Sequence, residues 1–145
     1  MSIANRVHDA IERMDGDNYE GALNDICGAI EDTAAREYGK GGRANYKRFV
    51  HDNLLLITRT AGISGGIANL YFDYRHPEIE LDANGHCTFE QIVYHAIRCG
   101  LYHAGQLPLD LQFAPEKVIG RGKGSNVLIT GSSIHLTPSM AHAAA

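Results

Sequence analysis

The sequence is poor in the features that define several classes of protein. It has no tryptophan, and its three cysteines, Cys27, Cys87 and Cys99, form no CxxC pair. This argues against a disulfide framework and against a zinc knuckle. The longest apolar stretches, such as residues 54–57, are far too short to span a bilayer. Residues 2–14 alternate apolar and charged side chains, unlike a signal peptide. We therefore expect a reduced, cytoplasmic protein without a membrane segment.

Positive charge is also scarce, and it is unevenly placed. The formal net charge is −4, which argues against nonspecific binding of nucleic acid through bulk charge. Residues 1–35 carry eight acidic side chains against two arginines. The segment 36–48 reverses this balance, since it contains one acid and five basic residues: Arg36, Lys40, Arg43, Lys47 and Arg48. A basic patch of this kind can hold a polyanion, although a solvated helix end and loop explains it equally well.

The length and the apolar periodicity predict one mainly helical domain. Apolar residues recur at helical spacing in several stretches, and capping-box patterns stand at Asp17–Glu20 and at Thr88–Gln91. Between residues 73 and 87 the chain is polar and is expected to be irregular. The predicted helices cover residues 2–15, 17–38 and 46–60, a short segment at 64–71, and a last helix that begins after Thr88.

The pattern changes after Pro108. Residues 127–130 and 133–136 flank Gly131 and Ser132, which suits a two-residue β-hairpin, and residues 117–119 could add a third strand. The predicted fold class is mainly α, an antiparallel helical bundle with a small C-terminal β-hairpin or β-ribbon. We expect a helical domain over residues 1–110, with residues 111–145 as a β-ribbon extension and tail packed on it.

Arg98 and His103, near the end of the last predicted helix, are the strongest candidates for chemistry. Histidine exchanges protons near neutral pH, and arginine offers a planar, permanently charged fork for phosphate oxygens. The pair suits phosphodiester cleavage, in which the imidazole moves protons and the guanidinium stabilises charge at phosphorus. On an ideal α-helix, however, the two positions lie roughly 140° apart. They converge only if the helix is interrupted at Gly100 or if the two side chains meet another chain at an interface.

The stretch from Arg98 to His103 resembles the R-x4-6-H motif of the HEPN superfamily. Residues 22–34 resemble an early HEPN helix, and residues 47–50 resemble a later segment, so the similarity covers about residues 19–107. It implies a HEPN-like helical bundle that forms a homodimer. It also implies a metal-independent endoribonuclease that leaves 2′,3′-cyclic phosphate ends, with Arg98 and His103 as catalytic residues.

The same resemblance implies RNA as the ligand, no cofactor, and a role in defence or a toxin–antitoxin system with an antitoxin or nucleotidyltransferase partner. Tyr102 and the five basic residues of segment 36–48 are the predicted RNA-binding residues. The sequence departs from active members at Cys99, where these often carry a polar residue. The alternative is a noncatalytic HEPN-like RNA-binding or dimerisation module. Catalysis needs Arg98 and His103 in an open groove, whereas the module expects neighbouring protein groups to satisfy them.

Two other constellations are weaker. His95, Cys99 and His103 are spaced along one helical face, but two turns span about 12 Å, so a metal ion would need ligands from elsewhere. The glycine-rich residues 120–125 lack the spacing of a phosphate-binding P-loop. The sequence therefore predicts neither a metal site nor a nucleotide-binding loop.

Overall fold

The computed structural model describes residues 1–60, 65–113, 128–130 and 133–136, and most of the secondary structure in them is helical. The predicted mainly helical character is thus confirmed. The elements, in chain order, are α1 (Ile3–Asp15), α2 (Tyr19–Tyr38), α3 (Arg43–Asp52), α4 (Leu54–Thr60), β1 (Tyr71–Phe72), β2 (Cys87–Thr88), α5 (Phe89–Gln91), the π-helical segments Ile92–Arg98 and Gly100–Ala104, β3 (Leu111–Phe113), β4 (Leu128–Thr130) and β5 (Ser133–Leu136).

Ion pairs fix the relative direction of α1 and α2. Arg6, early in α1, pairs with Asp32, late in α2, at 3.0 Å, and Arg13, late in α1, pairs with Asp25 at 2.7 Å. The two helices therefore run antiparallel. The Arg6 guanidinium lies over Gly28, where a Cβ atom would displace it.

The start of α2 differs by one residue from the capping box predicted at Asp17. The side chain of Asn18 accepts a hydrogen bond from the Gly21 N–H at 3.1 Å, so Asn18 is the N-cap. Asp17 itself has a φ of 58°, in the left-handed region, and its carboxylate accepts a hydrogen bond from the Tyr19 hydroxyl. A short polar side chain such as that of Asp17 tolerates a positive φ. Asp17 can therefore occupy the turn, while Asn18 caps the helix.

The third predicted helix is two helices. α3 ends at Asn53, whose backbone N–H and side-chain amide both donate to the carbonyl of Phe49, at 3.2 and 2.8 Å. The side-chain hydrogen bond competes with continuation of the helix. The core still runs through the break, with Tyr46, Val50 and Leu54 all buried.

The helix predicted for residues 64–71 is wrong over its described part. Tyr71 and Phe72 form β1, which pairs antiparallel with β2 in the register Tyr71–Thr88 and Phe72–Cys87. Phe72 and Cys87 are buried, so this short ribbon anchors the polar segment between them to the core. Residues 61–64 lie outside the described residues.

Both strands of the predicted C-terminal hairpin are confirmed. β4 pairs antiparallel with β5, from Leu128–His135 to Thr130–Ser133. β3 adds a third strand, which pairs parallel with β5. The sequence predicts a further strand at residues 117–119. Those residues, the turn at 131–132 and the glycine-rich residues 120–125 lie outside the described residues.

Candidate functional site

The helix that carries Arg98 and His103 starts as predicted and then changes type. Thr88 and Gln91 form a capping box, with the Thr88 N–H donating to the Gln91 side chain at 2.8 Å. After one α-helical turn the chain is π-helical, and the N–H of Cys99 donates to the carbonyl of Tyr94, five residues earlier. Gly105 ends the helix in the left-handed conformation, with a φ of 69°. π-Helical segments are rare and frequently occur at functional sites.

The π-helical geometry changes the relation between Arg98 and His103. At about 4.4 residues per turn each residue advances by about 82°, so five residues make one turn plus about 50°. An ideal π-helix would therefore bring the two positions closer around the helix axis than the roughly 140° expected for an α-helix.

The Arg98 side chain points into the protein. Its Nη2 atom donates to both carboxylate oxygens of Glu31, on α2, at 3.2 and 3.0 Å. The guanidinium carbon lies 5.4 Å from the ring centroid of Tyr94 and 4.8 Å from that of Tyr102, which are cation–π distances. Only 15% of the Arg98 side chain is exposed. Its buried Nε–H has no hydrogen-bond partner among the described residues.

The electrostatics keep this arginine charged. Burial acts to lower the pKa of Arg98, but the hydrogen bonds and the charge of Glu31 outweigh burial and raise the pKa above its usual value. Arg98 therefore holds the π-helical segment against α2 as a permanent cation paired with a carboxylate.

His103 lies in a different environment. Its side chain is exposed, and its ring meets the Tyr102 ring edge-on at a centroid distance of 6.3 Å. No described group hydrogen-bonds to the imidazole. Tyr102 is 64% exposed, and it contacts Arg98 on one side and His103 on the other. Tyr102 thus contacts both of the other residues, but Arg98 is held in the protein interior by Glu31, whereas His103 is exposed to solvent.

The basic segment 36–48 spans the end of α2, the turn and most of α3. Arg48 pairs with Asp52 at 3.4 Å and lies 4.5 Å above the Tyr38 ring. The other four basic side chains form no ion pair with a described residue, and three of them are exposed: Arg36, Lys40 and Arg43. The segment therefore offers positive charge to a ligand.

α3 also faces His95, which the sequence offered only as a weak metal ligand. His95 is buried, and its pKa is lowered first by burial and then by the nearby charges of Lys47 and Arg43. Within the described ranges, no group of three or more histidine, cysteine or acidic side chains is arranged to hold a metal ion. His95 is thus a buried side chain whose surroundings disfavour its protonated form.

A groove that sequence reasoning missed opens between α3 and the segment 80–91. It has a volume of about 630 Å³. His51 lies on one wall, and its Nδ1 atom is 3.3 Å from the carboxylate of Glu90, at the start of the last helix. The only sequence signal was that His51 follows Lys47 by one helical turn. Its partner Glu90 is distant in the chain, so spacing could not identify the pair.

None of the described helices combines the length and the apolar character that a membrane crossing requires. Searches of curated proteins and of solved structures find no match to this chain. A family model with the description Rv1289 matches residues 2–144. The match extends over nearly the whole sequence, including the helices, the groove and the C-terminal strands. The chain therefore belongs to the Rv1289 family.

Proposed function

We propose that this protein is a noncatalytic HEPN-like RNA-binding module that acts as a homodimer. The Glu31–Arg98 ion pair carries the proposal. A phosphate approaching Arg98 would have to replace a carboxylate that already contacts Nη2 through both oxygens, where 15% of the arginine side chain is exposed. Arg98 accordingly acts as an anchor between helices rather than as a phosphate clamp.

The RNA-binding part is supported by the basic segment 36–48. Arg36, Lys40 and Arg43 are exposed around one helix–turn–helix connection, and no described carboxylate neutralises them. Lysine and arginine side chains that neutralise phosphates release counterions, which favours binding of a polyanion. Tyr102, with 64% of its surface exposed, offers a ring for base stacking.

The homodimer is supported by the HEPN resemblance and by exposed apolar surface near the end of the last helix. Leu109, which follows that helix, is 89% exposed. Light scattering tests this part of the proposal. We expect a particle of twice the 15.8 kDa chain mass, and a monomer at high protein concentration would contradict it.

RNA binding is tested by fluorescence anisotropy with labelled single-stranded RNA at two salt concentrations. Replacing Arg36 and Lys40 together by alanine should weaken binding and reduce the salt slope by roughly one for each phosphate that the variant no longer neutralises. The matched control replaces Arg59 and Arg75, two exposed arginines without a described ion pair outside the segment. Equally weakened binding in both double variants would mean that net charge alone matters, and the assignment of RNA binding to the basic segment would be wrong.

The absence of catalysis is tested in the same samples, with EDTA present. We expect intact RNA on a denaturing gel after prolonged incubation. Metal-independent cleavage by the unmodified protein that His103→Ala abolishes would overturn the noncatalytic proposal.

One observation favours a second candidate function, that of a metal-independent endoribonuclease. Arg98 and His103 lie on the same π-helical stretch of chain, and both lie next to the Tyr102 ring. In this alternative, RNA phosphate displaces Glu31, and the ribose 2′-oxygen attacks the phosphorus as the bond to the 5′-oxygen breaks. The guanidinium stabilises charge at phosphorus, and His103 takes the 2′-hydroxyl proton or protonates the leaving 5′-oxygen. Glu31→Gln should then increase cleavage and leave 2′,3′-cyclic phosphate ends. Removal of the carboxylate without any increase in cleavage would oppose this mechanism.

A further inference from the structure

The groove between α3 and the segment 80–91 has two chemically different walls. α3 supplies a basic wall, and the opposite segment supplies a wall with carboxylates. Its volume of about 630 Å³ lies within the range of small-molecule sites. Six of its lining side chains bear on ligand binding: Lys47, His51, Tyr71, Glu80, Asp82 and Glu90.

The basic wall presents hydrogen-bond donors. Lys47 and His51 are four residues apart on α3 and so lie on one helical face. Lys47 has no ion pair with a described residue. Glu90, whose side chain is 14% exposed, contacts His51 through Nδ1 at 3.3 Å, which leaves Nε2 as the ring nitrogen available to a ligand. Arg48 also borders the groove, but Asp52 and Tyr38 already hold its guanidinium.

The opposite wall is held in place by its own hydrogen bonds. The Oδ1 atom of Asp82 accepts the backbone N–H groups of Asn84 and His86 at 2.8 and 2.9 Å. These hydrogen bonds lower the pKa of Asp82, and the bond from the His86 N–H has the largest effect. Asp82 is thus committed to shaping the loop. The carbonyl of Glu80 accepts the Gln91 side chain at 3.1 Å, while its carboxylate has no described partner.

Tyr71 completes the groove with an aromatic surface. Its side chain is 56% exposed even though its backbone is paired with Thr88 in the β-ribbon. The ring is therefore attached to a backbone that strand pairing holds in place. A base can stack on such a ring at little cost in side-chain ordering.

We propose that this groove binds a nucleoside monophosphate, either free or as one unit of an RNA strand. Lys47 and His51 hold the phosphate, Glu80 accepts the ribose hydroxyls, and Tyr71 stacks against the base. A ligand with an anionic end and a hydroxyl-rich end matches the polarity of the two walls better than a simple anion does, because three carboxylates line the groove. The extension to an RNA strand rests on the proposed function.

Calorimetric titration with 5′-AMP, adenosine and inorganic phosphate tests the site. We expect AMP to bind at least about tenfold more tightly than adenosine or phosphate, since each lacks half of the contacts. Lys47→Gln keeps the aliphatic stem and should weaken AMP binding by about tenfold, whereas adenosine binding should not change. Tyr71→Ala should weaken both AMP and adenosine.

Controls separate the groove from general effects. Arg59→Ala removes one exposed cation outside the groove and should leave AMP binding unchanged. Circular dichroism confirms that each variant is folded, and NMR shifts on AMP addition should cluster at residues 47–51, 71 and 80–91. Phosphate binding as tight as AMP binding, or shifts located elsewhere, would overturn the proposal.

The two proposals can fail separately. If AMP binds in the groove and RNA does not bind, the groove stands and the RNA-binding module is wrong. If RNA binds, AMP does not compete with it and Lys47→Gln has no effect, the RNA-binding function stands and the groove is wrong. Competition by excess AMP together with sensitivity to Lys47→Gln supports both.

Discussion

Glu31→Gln is the substitution that most directly tests the role assigned to Arg98. The glutamine keeps the size of the side chain but removes the charge opposite Arg98, whose side chain is 15% exposed and whose Nε–H already lacks a partner among the described residues. A hydrogen bond to a charged group contributes about 1.5–3 kcal/mol, and removal of a fully buried ion-pair partner costs about 3–5 kcal/mol. Because the Glu31 side chain is 37% exposed, solvent screens the effect. We expect a cost of about 1.5–2.5 kcal/mol.

The matched control is Asp52→Asn in the exposed pair with Arg48, where the side chains are 46% and 63% exposed. Exposed pairs contribute about 0–1 kcal/mol. Urea unfolding followed by circular dichroism at pH 7 compares the two variants. The double variant Glu31→Gln, Arg98→Met should recover part of the stability, because no unpaired charge remains. A cost for Glu31→Gln no larger than that of Asp52→Asn would refute the anchoring role.

Three further predictions concern the backbone, the thiols and a buried histidine. Gly105→Ala should destabilise the protein by about 1–2 kcal/mol, since φ there is 69°, while Gly16→Ala at a φ of −91° should be nearly neutral; chemical unfolding compares them. At pH 8, iodoacetamide should label the half-exposed Cys99 before Cys27, whose burial raises its pKa to about 11; peptide mass spectrometry reads the order, and equal rates would contradict it. Burial lowers the pKa of His95, so the unfolded chain takes up its proton first, and stability should fall as pH drops below about 6.5. In urea unfolding, the loss of stability on acidification should be smaller for His95→Gln than for the unmodified protein. An equal loss would mean that His95 does not cause it.

Local chemistry in the sequence predicted the ends of several helices well. The apolar stripe of α1, the glycine after Asp15 and the capping box at Thr88–Gln91 each act within a few residues, so they can be recognised without knowing the fold. The hairpin strands β4 and β5 were predicted for the same reason. The third strand, β3, pairs with β5 across more than twenty residues of chain, and no local rule selects it.

The errors came from interactions between distant residues and from a rare helical type. Tyr71 has good strand propensity, but only its pairing with Thr88 decides for a strand over the predicted helix. The π-helical hydrogen bonds have no sequence signature, so a wheel drawn at 100° per residue does not describe the helix that carries Arg98 and His103. Glu31 lies sixty-seven positions from Arg98, and spacing within a motif cannot reveal such a partner.

The stability of the Glu31–Arg98 pair and the choice between the two functions are therefore linked. Any free energy by which Glu31 holds Arg98 must be overcome before a phosphate can replace the carboxylate. At about 1.4 kcal/mol per factor of ten, a pair worth about 1.5–2.5 kcal/mol weakens phosphate binding at Arg98 by about 10- to 60-fold. RNA contacts elsewhere, along the basic segment and in the groove, would have to compensate for this weakening. A ribonuclease built on Arg98 thus requires a variant trend in which Glu31→Gln lowers stability and raises cleavage together, whereas in a binding module the same substitution lowers stability alone.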